Sequence, residues 1–312
     1  MSREPERFDE IHAEILESAQ KARWDGLSRA RVIKKMEALD TAMPRRIAVY
    51  YARQNRPLSH TDILPFVSML KSVGVTANLD LVVVSPGGDG TAAEKILGLC
   101  RRYCTKQLRV VVPLYAKSAA TLLALGADEI LMGETSELGP IDAQVDVLQD
   151  GLTQQVSADH FLRAKRMCIH EMRSSDKARA EAAQIQLTLL SPAFLQHCQD
   201  LMNFSRKFAK DQLWAHMFRE ELKLDATEWD DKIEKIVKNL TASSKHLLHG
   251  RMITADDISK DNDLKYLKVK ALARDDPYWK LLNQLLLRTE ISSQLDDFGK
   301  MLFAQKFQLV AG

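Results

Sequence analysis

The spacing of apolar residues divides this chain into a mixed first half and a helical second half. Between Asp9 and Ala22, the residues Ile11, Ile15 and Ala19 share one helical face, and Leu27 to Leu39 predicts a second helix closed by Pro44. Ile47-Ala-Val-Tyr-Tyr51 reads as a first strand. Ser59-His-Thr-Asp62 can then cap a helix that carries Ile63, Phe66, Val67 and Leu70 on one side. Leu79 to Val84 is an apolar, β-branched run, as expected of a strand covered on both faces. After it, the Gly87-Gly88 turn opens a helix with Ala92, Ile96, Leu99 and Tyr103 at helical spacing. Leu108 to Leu114 is the next strand, Ser118 to Gly126 the next helix, and Ile130-Leu-Met132 a short strand before the Gly139-Pro140 turn. Repeated β-α-β order with short loops predicts a parallel sheet with right-handed crossovers.

From about Ala158 to Leu240 the strand pattern stops. Helices are expected near 158–172, 176–190, 192–221 and 226–241, separated by Ser191-Pro192 and the Asp225-Ala-Thr-Glu228 cap. Leu264-Lys-Tyr-Leu-Lys-Val269 can return to the sheet, and Pro277 to Phe307 reads as a helix with Trp279, Leu282, Leu286, Ile291 and Leu295 on its apolar side. The organisation this implies is N-terminal helices over 1–43, an α/β core over 44–157, a helical region over 158–248, a closing segment over 249–274, and a helical tail over 275–312.

Composition adds boundaries to this picture. The 312 residues are 46% apolar and 28% charged, with a net charge of +2, which gives no reason to expect a nucleic-acid partner or an anionic membrane. The charged start, Met1-Ser-Arg-Glu-Pro-Glu-Arg, lacks the apolar core of a signal peptide, and Lys117, Asp128 and Glu129 interrupt the most apolar window. A cytoplasmic protein without stable membrane insertion is expected. Cys100, Cys104, Cys168 and Cys198 fit a reducing compartment; Cys100 and Cys104 stand at i, i+4 with no second ligand pair, so core packing is expected and no metal. No cofactor is expected either.

The chemistry gathers at the two strand-to-helix crossings. Ser118 stands where an apolar strand meets a helix start, beside unpaired backbone N–H groups. Such a hydroxyl can act as a nucleophile with the Ala119 N–H as an oxyanion donor, or it can simply cap the helix. Ala-Lys-Ser-Ala-Ala is not the Gly-x-Ser-x-Gly elbow. In Ser85-Pro-Gly-Gly88 the glycine pair allows close approach to a ligand, and the Gly88 N–H can supply a second oxyanion donor. Gly87-Gly-Asp-Gly90 matches no phosphate-binding pattern, and Asp89 would repel a phosphate.

Ser85-Pro-Gly-Gly88, the serine of Ala116-Lys-Ser-Ala-Ala120 and Ser136-Glu-Leu-Gly-Pro-Ile-Asp142 together resemble the Clp/crotonase superfamily. Within it the chain is similar to the serine dehydrogenase proteinase family, a relative of signal peptide peptidase A. His249-Gly-Arg-Met-Ile-Thr254 is similar to the Gly-Arg motif that closes the peptidase A repeat, so the resemblance runs over residues 45–270. It implies an α/β fold with a ββα spiral core, Ser118 as nucleophile, and the Gly88 and Ala119 amides as oxyanion hole. A peptide would lie extended between Gly87-Gly88 and the segment after Gly139, making Gly87 and Gly139 substrate-binding residues. No histidine stands near Ile141-Asp142, where the Clp subunit has its base, so a Clp-type triad is not expected. The peptidase A pattern puts a lysine base at Lys165, with Lys177, His160 and His249 as alternatives; a lysine serves only when burial lowers its pKa.

The function expected is therefore a cytosolic serine peptidase that cleaves peptide or protein substrates through an acyl-enzyme on Ser118. A crotonase-like acyl-CoA enzyme would use the same two amides without the serine, and a scaffold could keep the fold without a working base. Relatives of this fold assemble into rings, so a homo-oligomer is expected.

Overall fold

The computed structural model describes residues 22–149, 151–246 and 248–311. The helix expected from Asp9 lies outside them. In chain order the strands are β1 (Arg46–Ala52), β2 (Thr76–Val84), β3 (Cys104–Val112), β4 (Tyr115–Ala116), β5 (Glu129–Met132), β6 (Glu137–Leu138), β7 (Gln144–Gln149), β8 (Leu152–Ser157), β9 (Val269–Ala271), β10 (Lys300–Ala304) and β11 (Phe307–Ala311). Helices α1 (Ala22–Glu37), α2 (Ile63–Val73), α3 (Gly90–Tyr103) and α4 (Ala119–Leu125) accompany the first strands. The later region holds α5 (Ala158–Glu171), α6 (Lys177–Thr188), α7 (Pro192–Gln212), α8 (Arg219–Leu222), α9 (Ala226–Thr241), α10 (Ser243–His246), α11 (Ala255–Lys260) and α12 (Pro277–Leu295).

The main sheet runs β11-β10-β1-β2-β3-β5-β9, parallel from β1 to β9 and antiparallel at the β10–β11 edge. Successive residues of its strands enter opposite cores, which is why β1 and β2 read as unbroken apolar runs. Ala48, Tyr50, Leu81 and Val83 join Phe66, Ile96 and Leu123 in one core. Ile47, Val49, Val82 and Val84 join Ile33, Trp279 and Leu282 in the other. Beyond the carboxyl ends of β2, β3 and β5, a second, narrow ladder crosses the molecule. It runs through Leu58–Gly88, Ser85–Ala116, Ala116–Leu138 and Leu138–Ile253. Long strand, short strand and helix thus recur, and the core is a Clp/crotonase-like ββα spiral. The helical region from α5 to α11 follows the expected order.

Two stretches differ from expectation. The tail is helical only to Leu295: Asp297 takes a left-handed turn (φ 48), and Lys300-Met-Leu-Phe-Ala304 enters the sheet beside β1 with every residue buried. Helical spacing over Pro277–Leu295 hid the change to a continuous apolar run. Residues 144–157, given no element by the sequence, form the β7–β8 hairpin, whose polar β8 lacks a strand's usual apolar face. The α12 helix packs on its own core, with Trp279 fully buried. No helix among the described residues is long and apolar enough to cross a membrane.

Asp80 interrupts the apolar run of β2 and is fully buried. It accepts from Arg45 Nε at 2.5 Å, Arg109 Nε at 2.8 Å and Nη2 at 2.6 Å, and the Tyr278 hydroxyl at 2.8 Å. One carboxylate thus ties the chain entering β1 to β2, β3 and α12. Removing it strands two guanidinium groups where water cannot replace the lost partner. Asp80→Ala should cost about 3–5 kcal/mol, seen as a lower urea midpoint at unchanged slope.

Candidate active site

The Ser85-Pro-Gly-Gly88 turn is locked to the next crossing by its backbone. The Ser85 N–H donates to Tyr115 O at 2.9 Å, and the Lys117 N–H returns to Ser85 O at 3.0 Å. Gly87 and Gly88 take left-handed conformations, with φ of 94 and 137. A Cβ on Gly87 would lie 2.5 Å from Lys117 O and 2.7 Å from Ser118 Cβ; one on Gly88 would lie 2.2 Å from Leu58 O. The close approach seen here is within the chain: the partner at Gly87 is the Ser118 turn, and the partner at Gly88 is Leu58.

Ser118 also has a left-handed backbone, with φ 49 and ψ −116, a conformation that costs roughly 1–3 kcal/mol in a non-glycine residue. Its side chain does not cap α4, and its Oγ makes no hydrogen bond among the described residues. From Tyr115 to Ala127 every other residue is buried; Ser118 alone is half-buried. The strand-to-helix turn therefore presents a single hydroxyl at the surface, as a nucleophile elbow does, without the glycine pattern by which such elbows are read. The Gly88 and Ala119 N–H groups have no backbone acceptor among the described residues. The turn carrying one packs against the turn carrying the other.

Lys117 directly precedes Ser118 in this turn. It is buried and reaches across to Glu137 Oε1 at 2.8 Å, with Leu138 O at 3.4 Å, Gly250 O at 3.4 Å and Arg251 O at 3.3 Å. Gly139 gives it room, since a Cβ there would stand 2.7 Å from Lys117 Cδ. The Gly139 N–H donates to Thr121 Oγ1 at 3.1 Å, and its carbonyl accepts from the same hydroxyl at 3.0 Å. The closing segment is held here too: Leu138 and Ile253 exchange both backbone hydrogen bonds, at 2.9 and 3.0 Å.

One pairing was not foreseen. His249 Nδ1 lies 2.7 Å from Asp142 Oδ1, and Gln144 Nε2 donates to Asp142 Oδ2 at 3.0 Å. Asp142 is 2% exposed. Burial alone would raise its carboxyl, yet the hydrogen bond and charge of His249 bring it below the ordinary carboxylate range. The sequence offered both residues in separate motifs, but their meeting spans 107 positions and leaves no local signal. Lys165 lies on α5, with its side chain exposed and no contact joining it to the Ser118 turn among the described residues. His160 and Lys177 are exposed as well. All four cysteines are buried thiols.

The core and its turns leave one half-buried serine at a strand-to-helix crossing, set against a glycine turn. Residues 62–157 match the family model described as ClpP-like SDH-type serine proteinase, which bears out the resemblance read from the motifs. The chain is similar to two uncharacterized proteins of Methanocaldococcus jannaschii. MJ0137 is 30% identical over 146 residues, covering 47% of this chain and 44% of that one. MJ1495 is 27% identical over 132 residues, covering 38% and 45%. The match thus spans less than half the length of either relative. Among solved structures, two mutants of the 1510-N membrane-bound stomatin-specific protease align at 14% identity and a TM-score of 0.28. One is a serine-to-alanine mutant, covering 70% of this chain and 94% of its own. The other is a lysine-to-alanine mutant in complex with a substrate peptide, covering 74% and 93%. At that score the likeness adds nothing to the assignment of the site.

The packing of Gly87 makes a testable demand. Gly87→Ala should destabilise the fold by on the order of 2–4 kcal/mol, measured by chemical denaturation. Gly98→Ala, with nothing within 4 Å of its Cβ on α3, should instead raise stability by up to about 1 kcal/mol.

Proposed function

We propose that the chain is a serine peptidase in which Ser118 attacks a peptide carbonyl and forms an acyl-enzyme. The observation that carries this reading is the Ser118 turn: an uncapped, half-buried hydroxyl at positive φ, set against a glycine turn, with two free amides beside it. Strain of this kind persists where the surroundings over-determine it, commonly at working sites. The Gly88 and Ala119 amides would hold the developing oxyanion, each contributing about 3–4 kcal/mol to the transition state. An acyl-CoA lyase or hydratase reaction would use the amides alone and would have no need of a hydroxyl exposed at this turn. The substrate is a peptide or protein, the setting cytoplasmic, and the assembly a homo-oligomer; light scattering on the purified chain reads the last directly.

A fluorophosphonate tests the chemistry. The wild type should form one covalent adduct, seen as a single mass increment, and Ser118→Ala should form none at equal stability. Equal labelling of both proteins, or of neither, would remove the reading.

A further inference from the structure

We infer that the base serving Ser118 is His249, oriented by Asp142 and fastened beside the serine turn by Lys117. The inference rests on the serine peptidase reading and goes beyond it by assigning the residue that moves the proton. Two connections bring His249 to the site. The first runs through Lys117, the residue before Ser118, whose ammonium bridges the Gly250 and Arg251 carbonyls. The second runs through Gly139, which is bonded to Thr121 on the first turn of α4 and precedes Asp142 on a wholly buried stretch. Serine turn, Asp142 segment and closing turn are thus laced together within one small region.

The hydrogen bonding also fixes which nitrogen can act. Asp142 is an acceptor, with one oxygen on His249 and the other on Gln144. Nδ1 must therefore carry the proton, which leaves Nε2 of the neutral ring with its lone pair exposed. Half-buried His249 makes no other hydrogen bond among the described residues, so Nε2 is free to accept. Lys245, Arg251 and Asp142 are the charges around the neighbouring His246, and Lys117 pairs with Glu137 of β6. Lys165, by contrast, is exposed.

The reaction balances with these groups. The Ser118 Oγ proton passes to His249 Nε2 as Oγ bonds the carbonyl carbon, and the carbonyl π pair moves to the oxygen held by Gly88 and Ala119. As the oxyanion collapses, the C–N bond breaks and the departing amine takes the proton from Nε2. Water then adds to the acyl carbon, giving one proton to Nε2; the C–Oγ bond breaks, and that proton returns to Oγ. Asp142 keeps the ring oriented and offsets the imidazolium charge. Asp142 and Lys117 are positioning residues.

The test is the rate of fluorophosphonate labelling against pH for the full chain. His249→Ala should slow labelling by about 100- to 10,000-fold and flatten the pH profile of the wild type. Free imidazole should restore part of the rate, which a merely structural loss would not allow. Asp142→Asn should also slow labelling, while Lys165→Met should keep the wild-type rate and profile. Wild-type labelling in His249→Ala, or a loss confined to Lys165→Met, would overturn the inference and leave the peptidase reading standing. A wild type that is not labelled at Ser118 would overturn both. Should His249→Ala fail to fold, Asp142→Asn decides: an unchanged rate and profile rejects the pair, and a slowed rate with a displaced profile supports it.

Discussion

The site depends on the contact between Gly87 and the Ser118 turn. A left-handed serine between β4 and α4 is strained, and its Cβ points into space that any other residue at position 87 would fill. Around this contact the backbone is fully determined. Ser85 is paired to Tyr115 and Lys117, and Gly88 is paired to Leu58. The first residues of α4 are buried in the same core as β1, β2 and β3. The core therefore sets the position of the two crossings, and the absence of a single methyl group lets them touch. Fold stability and placement of the hydroxyl are the same problem here, solved by one close approach.

Much of this could be read from the residues alone. The parallel strands announced themselves because both faces are covered, and the glycine pair and lone serine marked the two turns. What escaped were features that depend on contacts distant in the chain. The β10 strand was lost because the helix before it set the expected period, and its burial comes from β1, far away in sequence. Lys117 showed in the sequence only as an interruption of the most apolar window; its burial is possible because Glu137 and three carbonyls from two other segments meet its ammonium. The His249–Asp142 pair was hidden for the same reason. Each residue was visible within a motif, but nothing in either motif specifies the distance between them. Lys165 shows the opposite limit: spacing placed it on the chain, and spacing does not report which way a helix faces.

The second ladder explains why the closing segment lies near the Ser118 turn although α5 to α10 separate the two in sequence. Leu138 lies between Ala116 and Ile253 in that ladder, so the chain from Gly250 to Ile253 is the next rung after the one beside Ser118. Lys117 spans that rung with its side chain while the Leu138–Ile253 pair spans it with backbone. A buried ammonium without Glu137 would be a heavy penalty, and with Glu137 it becomes a constraint on geometry more than a source of stability. The ion pair is better understood as setting where the closing turn sits than as holding the fold together.

The same ladder limits how an extended peptide can bind. Strand addition needs backbone groups with no partner, and here several are already engaged: Gly87 O with Leu58, Leu138 with Ile253, Gly139 with Thr121, and the Ile141 N–H with Leu240 O at 2.9 Å. Pro86 and Pro140 have no N–H to give. Among the described residues the Gly88 amide is exposed and has no backbone acceptor, and the Ala119 amide close to it has none either. Under the proposed function, a peptide would meet those donors at its scissile carbonyl. Those two amides would then be spent on the transition state more than on the ground-state carbonyl. That arrangement favours rate over tight ground-state binding.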